Sequence, residues 1–314
     1  MAKELKFGLD VGIYGRTATR DTILELTELA ETSGFESVWL ADHVIFPTAF
    51  ASKYPYSATG SFPIDMTKEP LLEPIATMGV LVGATRRVNI GTAVLVMPYR
   101  NPVLLARMLV TLDVLSGGRT ILGAGVGWLA EEFAALDARP YEARGQVTDE
   151  CIEIVKRICQ GGEVSFAGEH YQLDNLVSSP GSVQRPHPPI LIGGTSNAAL
   201  RRVARLGNGW LSTSVGPDSV GERLQVLRGL CEAQGRRFEA LSLCHKFFIN
   251  IGEAEQRSDG SRVPGTGTPA DIRDDIRRFA DVGYDRFIVR YRGGDAETQQ
   301  VQLKQFMAEI MAKV

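Results

Sequence analysis

Residues 88–128, VNIGTAVLVMPYRNPVLLARMLVTLDVLSGGRTILGAGVGW, restrict the possible folds more than any other stretch of the chain. The segment opens on a β-rich apolar run that stops at Pro98. Asn101 and Pro102 then supply an N-cap and a proline for the first helical turn, where a side-chain oxygen satisfies free N–H groups and a missing N–H costs nothing. Leu105, Met108, Leu109, Leu112 and Leu115 recur at helical spacing until Gly117 and Gly118 end the run. A second short apolar run at 120–124 follows. Strand, helix and strand in this order form a crossover unit, and such a connection joins parallel neighbours.

The same unit recurs along the chain. Strands are expected at 5–10, 37–41, 88–97, 120–124, 189–192, 210–211, 241–251 and 286–290. Helical patterns follow them, the main ones from Asp21 to Gly34 and at 71–84, 142–159, 198–206, 220–234, 272–282 and 298–313. Eight strands, each with a helix after it, within 314 residues favour an α/β fold of the single (β/α)8 TIM barrel type over a doubly wound open sheet. We read residues 1–314 as one domain with insertions at about 42–70, 160–188 and 252–269. The first is rich in Pro, Ser and Tyr and long enough to be a lid. The second contains a hairpin at 164–173 around Gly168, and the third is polar, without apolar period, and expected to be mobile.

A formal net charge of -3 and a pI near 5.9 provide no general attraction to nucleic acid or to an anionic membrane, which leaves small molecules as the expected partners. Cys151, Cys159, Cys231 and Cys244 stand singly inside apolar patterns and read as core thiols of a reducing compartment. With no apolar h-region at the start and no run near the ~20 apolar residues that span a bilayer, a cytoplasmic location is expected.

In a barrel of this class the reacting groups sit at the carboxyl ends of the strands. Those positions are Asp42 and His43, then Met97, Pro98 and Tyr99, then Gly125, Val126, Gly127 and Trp128. Gly193, Gly194 and Thr195 follow the fifth strand, Ser212 and Thr213 the sixth, and Arg290 and Arg292 the eighth. Two glycines leading into a helix suit an anion, because the backbone can approach closely and the helix N-terminus is electropositive; a tight turn without a ligand has the same sequence. His43 is the one histidine at a strand end, and a group that titrates near neutrality serves there as acid or base, with Asp42 beside it; a structural histidine is the alternative. His43, His170, His187 and His245 include no close pair, so no metal is expected. Lys246 falls mid-run, which argues against a Schiff-base aldolase. The glycines of Gly123-Ala124-Gly125-Val126-Gly127 miss the dinucleotide fingerprint by one residue and read as space for a flat ring, with Trp128 as a wall or as packing.

Four segments carry a family likeness: LAETSGFESVWLADHV, the block from Val88 to Phe133, PHPPILIGGTSNAALRRVARLGNGW and PGTGTPADIRDDIRRFADVGYDRFIVR. Together they resemble the luciferase-like monooxygenase superfamily, and within it most of all the branch that uses the deazaflavin coenzyme F420. The resemblance implies a barrel, usually dimeric, with a flavin-type ring at the carboxyl ends of the strands. It implies that His43 faces the reactive edge of the ring with Asp42 as its acidic neighbour, and that a non-prolyl cis peptide lies behind the ring at Ala93-Val94. By the same match Val126 and Gly127 contact the ring through their backbone, and Gly193, Gly194 and Thr195 hold the cofactor phosphate, with Arg290 as a nearby cation or else a surface salt bridge. The chain departs from the sugar-phosphate dehydrogenases of the family at Trp128, where they carry a glutamate. With Tyr54, Tyr56 and Phe62, that tryptophan implies an apolar substrate pocket.

The expected function is therefore an F420-dependent oxidoreductase that transfers hydride to or from a small organic substrate. The alternative is a two-component FMN-dependent monooxygenase that uses reduced FMN and oxygen, and a third reading is a flavin-binding protein without turnover. Expected partners are a small-molecule substrate, a separate flavin or F420 reductase and a second copy of the chain in a homodimer, with no nucleic acid and no membrane.

Overall fold

A computed structural model describes residues 4–57, 59–257, 259–291 and 295–314, and along them strands and helices alternate. The order begins β1 (Lys6–Asp10), α1 (Arg20–Thr32), β2 (Ser37–Leu40), α2 (Pro74–Ala84), β3 (Asn89–Thr92), β4 (Leu95–Val96), α3 (Pro102–Ser116) and β5 (Thr120–Gly125). It continues α4 (Ala130–Ala135), α5 (Arg144–Gln160), β6 (Gly162–Ala167), β7 (Gln172–Ser178), β8 (Ile190–Gly193), α6 (Asn197–Leu206) and β9 (Gly209–Thr213). The rest is α7 (Val220–Ala233), β10 (Ser242–Ile251), β11 (Thr266–Gly267), α8 (Pro269–Asp281), β12 (Arg286–Tyr291) and α9 (Ala296–Glu309).

Parallel pairing runs β1-β2-β3-β5-β8-β9-β10-β12 and returns to β1, which closes an eight-stranded barrel inside a ring of helices. The fold is the (β/α)8 barrel that the repeated strand-helix unit predicts. Helix α3 starts as its sequence requires: the Asn101 side chain accepts from the N–H groups of Val103 and Leu104, and Gly117 ends the helix in the left-handed region at φ 70°. Trp39, Ile121, Leu191, Leu211, Cys244 and Ile288 fill the barrel interior. A side chain at Gly8 or Gly91 would collide with the Trp39 ring, at 2.3 and 2.6 Å respectively, so both glycines make room for that one tryptophan. All four cysteines are buried and unpaired.

One sequence expectation needs correction, and one helix was not expected. The third strand is not continuous over 88–97 but breaks into β3 and β4, and between them lies the non-prolyl cis peptide at Ala93-Val94 that the resemblance implies. From Gly91↔Ile121 to Leu95↔Ala124 this side advances four residues while β5 advances three, a one-residue bulge. Helix α4 has no counterpart in the sequence reading, being only six residues long and without an apolar period. In the polar segment after β10 the Arg262 guanidinium donates to both oxygens of buried Asp275 at 2.7 and 2.8 Å, the Gly265 N–H donates to Asp275, and β11 pairs with β10. Arg292, expected at the end of the eighth strand, lies outside the described residues.

Residues 42–70 form no helix or named strand among those described, and β6 and β7 form an antiparallel hairpin. No described helix is long and apolar enough to cross a membrane.

Candidate functional site

A cavity of about 600 Å³ opens at the carboxyl ends of the strands. The bulge builds one wall. The Val94 side chain lies between β5 and β8, and a Cβ at Gly125 or Gly193 would meet it at 2.4 or 2.6 Å. The sequence reading assigned Gly193 to close approach of a ligand; the structure shows that this glycine accommodates Val94. Gly123 likewise fits beneath Thr92, whose carbonyl would lie 1.9 Å from an added Cβ. Gly194 is different. Its φ is +104° and an added Cβ would meet only the Ala199 methyl, at 3.3 Å, so this glycine is required by backbone conformation and borders the cavity.

His43 follows β2 and is 95% buried, being 5% exposed. Its Nδ1 lies 2.7 Å from Oε2 of Glu132 on α4, a residue without accessible surface. The Glu132 carboxylate also accepts from Tyr99 Oη at 2.8 Å and from the N–H groups of Val44 and Ile45 at 2.7 and 3.1 Å. Burial alone would push this carboxyl up, but the hydrogen bond and charge of His43, together with the Val44 and Tyr99 donors, hold it below its ordinary value. A carboxylate is acceptor-only, so His43 donates from Nδ1 and its Nε2 is the nitrogen left for the cavity. Tyr99 is held protonated by burial and by the adjacent Glu132 charge.

Asp42 lines the same cavity but its carboxylate is engaged elsewhere. It takes Arg100 at 2.7 and 2.9 Å and the Val96 N–H at 2.8 Å, and Arg100 reaches on to Glu73 at 2.7 Å. These contacts tie the strand end at Asp42 to β4 and to Arg100. Val126 and Gly127 border the cavity as well. Gly127 has φ +79°, and a side chain there would strike Phe133 and Val96 at 2.8 Å.

The loop after β2 closes the outer side with aromatic rings. Trp128 stacks on Phe62 at 5.8 Å with 16° between planes, and Tyr54 meets the Trp128 edge at 5.2 Å and Tyr56 at 5.5 Å. Phe46, Phe62 and Trp128 surround the imidazole of His43 edge to face at 5.2, 5.6 and 6.0 Å. Phe46 and Tyr14 were not singled out in the sequence, and both contact His43.

At the far end Gly194, Thr195 and Ser196 lead into α6, whose N-cap Ser196 accepts from Ala199 N–H. Trp210 Nε1 donates to the Gly194 carbonyl at 2.7 Å and fixes the turn. Arg144 and Arg202, absent from the sequence reading, line this end. Arg202 is tied to Asp149 and to the Gly145 carbonyl, whereas the buried Nε of Arg144 has no partner. Arg290 does not join them. Its strand β12 is three positions round the barrel from β8, and its guanidinium pairs with Asp10 at 3.2 Å and lies 4.5 Å over the Tyr14 ring. No group of three His, Cys, Asp or Glu among the described residues is arranged to hold a metal.

The residue arrangement can be set beside known proteins. A sequence model described as luciferase-like monooxygenase matches residues 6–261. The chain belongs to the luciferase-like monooxygenase family. An uncharacterized protein of Mycobacterium tuberculosis is 30% identical to this luciferase-like chain over 299 residues, covering 93% of this chain and 95% of that one. The FMNH2-dependent dimethylsulfone monooxygenase of Pseudomonas putida is 25% identical over 213 residues, 67% of this chain and 53% of that enzyme. Among solved structures, an F420-dependent secondary alcohol dehydrogenase in complex with an F420-acetone adduct superposes with a TM-score of 0.80, at 16% identity and with 98% and 99% of the two chains covered. The chain is thus an enzyme of the luciferase-like oxidoreductase and monooxygenase kind, and the names of two of these neighbours carry F420 and FMNH2.

Proposed function

We propose that this chain is an F420-dependent oxidoreductase that moves hydride between the deazaflavin coenzyme and a small organic substrate, with His43 moving the accompanying proton. The observation that carries this reading is the 2.7 Å contact of His43 with a fully buried Glu132 at the wall of an aromatic cavity. Oxidation of an alcohol carbon by hydride loss releases a proton from oxygen in the same event, and a positioned base must take it. Glu132 holds the imidazole in one orientation with Nε2 available, and its negative charge stabilises the imidazolium that results. The rings of Phe46, Phe62 and Trp128 exclude water from that proton and from the transferred hydride.

The residues present fit the coenzyme. The Arg144 guanidinium bordering the cavity, the Gly194 turn at φ +104° and the first N–H groups of α6 would hold its phosphate, while Val94, Val126 and Gly127 would flank its ring. When bound, the ring supplies the hydride-accepting carbon. Leu104 and Leu115, 55% and 70% exposed and eleven residues apart on one face of α3, support a homodimer, which Leu115→Glu would dissociate in size-exclusion light scattering.

Titration of the purified protein with oxidised and reduced F420 and FMN, followed by oxygen uptake, tests the reading. Micromolar F420 binding, FMN binding at least tenfold weaker and no oxygen uptake are expected. The second reading, an FMN-dependent monooxygenase, is favoured by the Pseudomonas putida relative. Tight binding of reduced FMN with oxygen consumption would replace the first reading with it.

A further inference from the structure

The floor of the cavity carries a charge that the proton-transfer residues do not use. Lys246 stands on β10, four strands from β3 in either direction round the barrel. Its Nζ nevertheless donates to the Ala93 carbonyl at 3.2 Å, so the side chain crosses the barrel interior at the level of the Ala93-Val94 peptide and borders the cavity. The same Nζ lies 2.5 Å from Asp10 Oδ2. Asp10 is shared with Arg290 at 3.2 Å and also accepts from the Gly12 N–H at 3.0 Å.

The side chains of Lys246, Asp10 and Arg290 are only 8%, 0% and 13% exposed, and they place two cations on one carboxylate. A buried cation without a full counter-charge costs several kcal/mol, so such an excess marks a site for a negative group. The other carboxylates near the cavity do not supply that charge: Asp42 is held by Arg100, Glu132 is taken up by its four hydrogen-bond donors, and Glu142 stands exposed on the segment before α5. Of the two cations, Lys246 faces the cavity and Arg290 does not.

We propose that the Lys246 ammonium, positioned by Asp10 and reinforced by Arg290, binds the negative charge that a flavin-type ring acquires on two-electron reduction, so that the cavity prefers the reduced ring. The proposal rests on the reading of the cavity as a flavin or deazaflavin site. The charge balance is simple. Loss of hydride from a substrate H–C–O–H delivers two electrons and one proton to the ring, the hydroxyl proton passes to His43, and the ring is left one charge more negative. A cation beside the ring is one of the few means by which a protein tunes its electronics.

The test is the ratio of dissociation constants for oxidised and reduced F420, and for oxidised and reduced FMN, measured anaerobically by fluorescence and absorbance. For each probe that binds, the midpoint potential is measured on the same complex. Lys246→Met is expected to lower the preference for the reduced form about tenfold, equivalent to a potential about 30 mV more negative for a two-electron couple. Arg290→Gln should shift it in the same direction by less, Asp10→Asn in the opposite direction, and Lys246→Arg should keep it within about threefold. An unchanged ratio in Lys246→Met, or shifts of the same sign in Lys246→Met and Asp10→Asn, would overturn the proposal while leaving the ring site in place. Failure of the wild type to bind either F420 or FMN would instead remove the ring-site reading and the proposal with it.

Discussion

His43 and His245 are both almost fully buried, at 5% and 3% exposed, yet they stand in opposite chemical situations. His43 has a carboxylate on one nitrogen and a cavity at its other side. His245 shares its Nδ1 with Ser212 Oγ at 2.8 Å, which in turn meets the Tyr284 hydroxyl at 2.9 Å, and its ring stacks on Phe279 at 4.2 Å. No carboxylate accompanies it, and burial pushes it down to about 3, so it is held neutral. It neighbours Lys246 on β10, and strand alternation sends Lys246 into the barrel and His245 out against α8. Burial alone therefore does not identify a working histidine. The partner on the second nitrogen, and the space beside the first, decide the role.

The largest effect that could break this contrast is expected at the dyad. His43→Ala should lower turnover by about 10²–10⁴-fold while F420 affinity changes by less than about fivefold. Retention of turnover within threefold would place His43 in the same structural class as His245. Glu132→Gln should also reduce turnover steeply, because an amide cannot stabilise the imidazolium. It should cost stability of about 1–3 kcal/mol as well, since each oxygen serves two donors and the amide nitrogen leaves one of those pairs without its acceptor, measurable by denaturant unfolding.

The next effect belongs to His245 and is seen in stability rather than turnover. With its folded value lowered from 6.5 to about 3, the unfolded state holds more protons between those limits, so stability falls as pH drops through that window. Glu132, also lowered, adds to the loss only below about 4.5. His245→Phe should make the profile shallower between pH 6.5 and 4.5, with His187, also lowered by burial, keeping its own share, and leave turnover unchanged; an identical slope in both proteins would show that the imidazole is not held neutral. The smallest effect is expected for Tyr99→Phe, which removes one of the hydrogen bonds on Glu132. We expect a loss of about 0.5–1.5 kcal/mol by denaturant unfolding and a few-fold change in turnover.

Much of the barrel could be read from the sequence because each strand-helix unit carries its own punctuation, as Asn101, Pro102 and Gly117 do for α3. Strand-end reasoning also found His43, Gly194 and Trp128, because in a parallel barrel the carboxyl end of each strand can be located from its apolar run. Glu132 was missed for a physical reason. It sits on a six-residue helix without periodicity and finds His43 across 89 positions of sequence, a contact that no local pattern encodes. Lys246 was discounted for lying mid-strand. But β10 runs ten residues and continues past the barrel to pair with β11, so its middle is level with Thr213, the last residue of β9. Arg290 was placed by family match near the glycine turn, whereas the strand order carries it to Asp10. Gly193 was correctly located but is needed to seat Val94, a requirement that appears only when β3 and β4 bulge against β5 and β8.

The central claim is that His43 and the Gly194 turn grip opposite ends of a single flavin-type ligand. A crystal structure of the complex with F420 tests it directly. The account predicts the ring against Val94, its reactive edge within reach of His43 Nε2, and the phosphate at Gly194, Thr195 and Ser196. Coenzyme bound outside this cavity, or lying within it with its ring away from His43, would contradict the account.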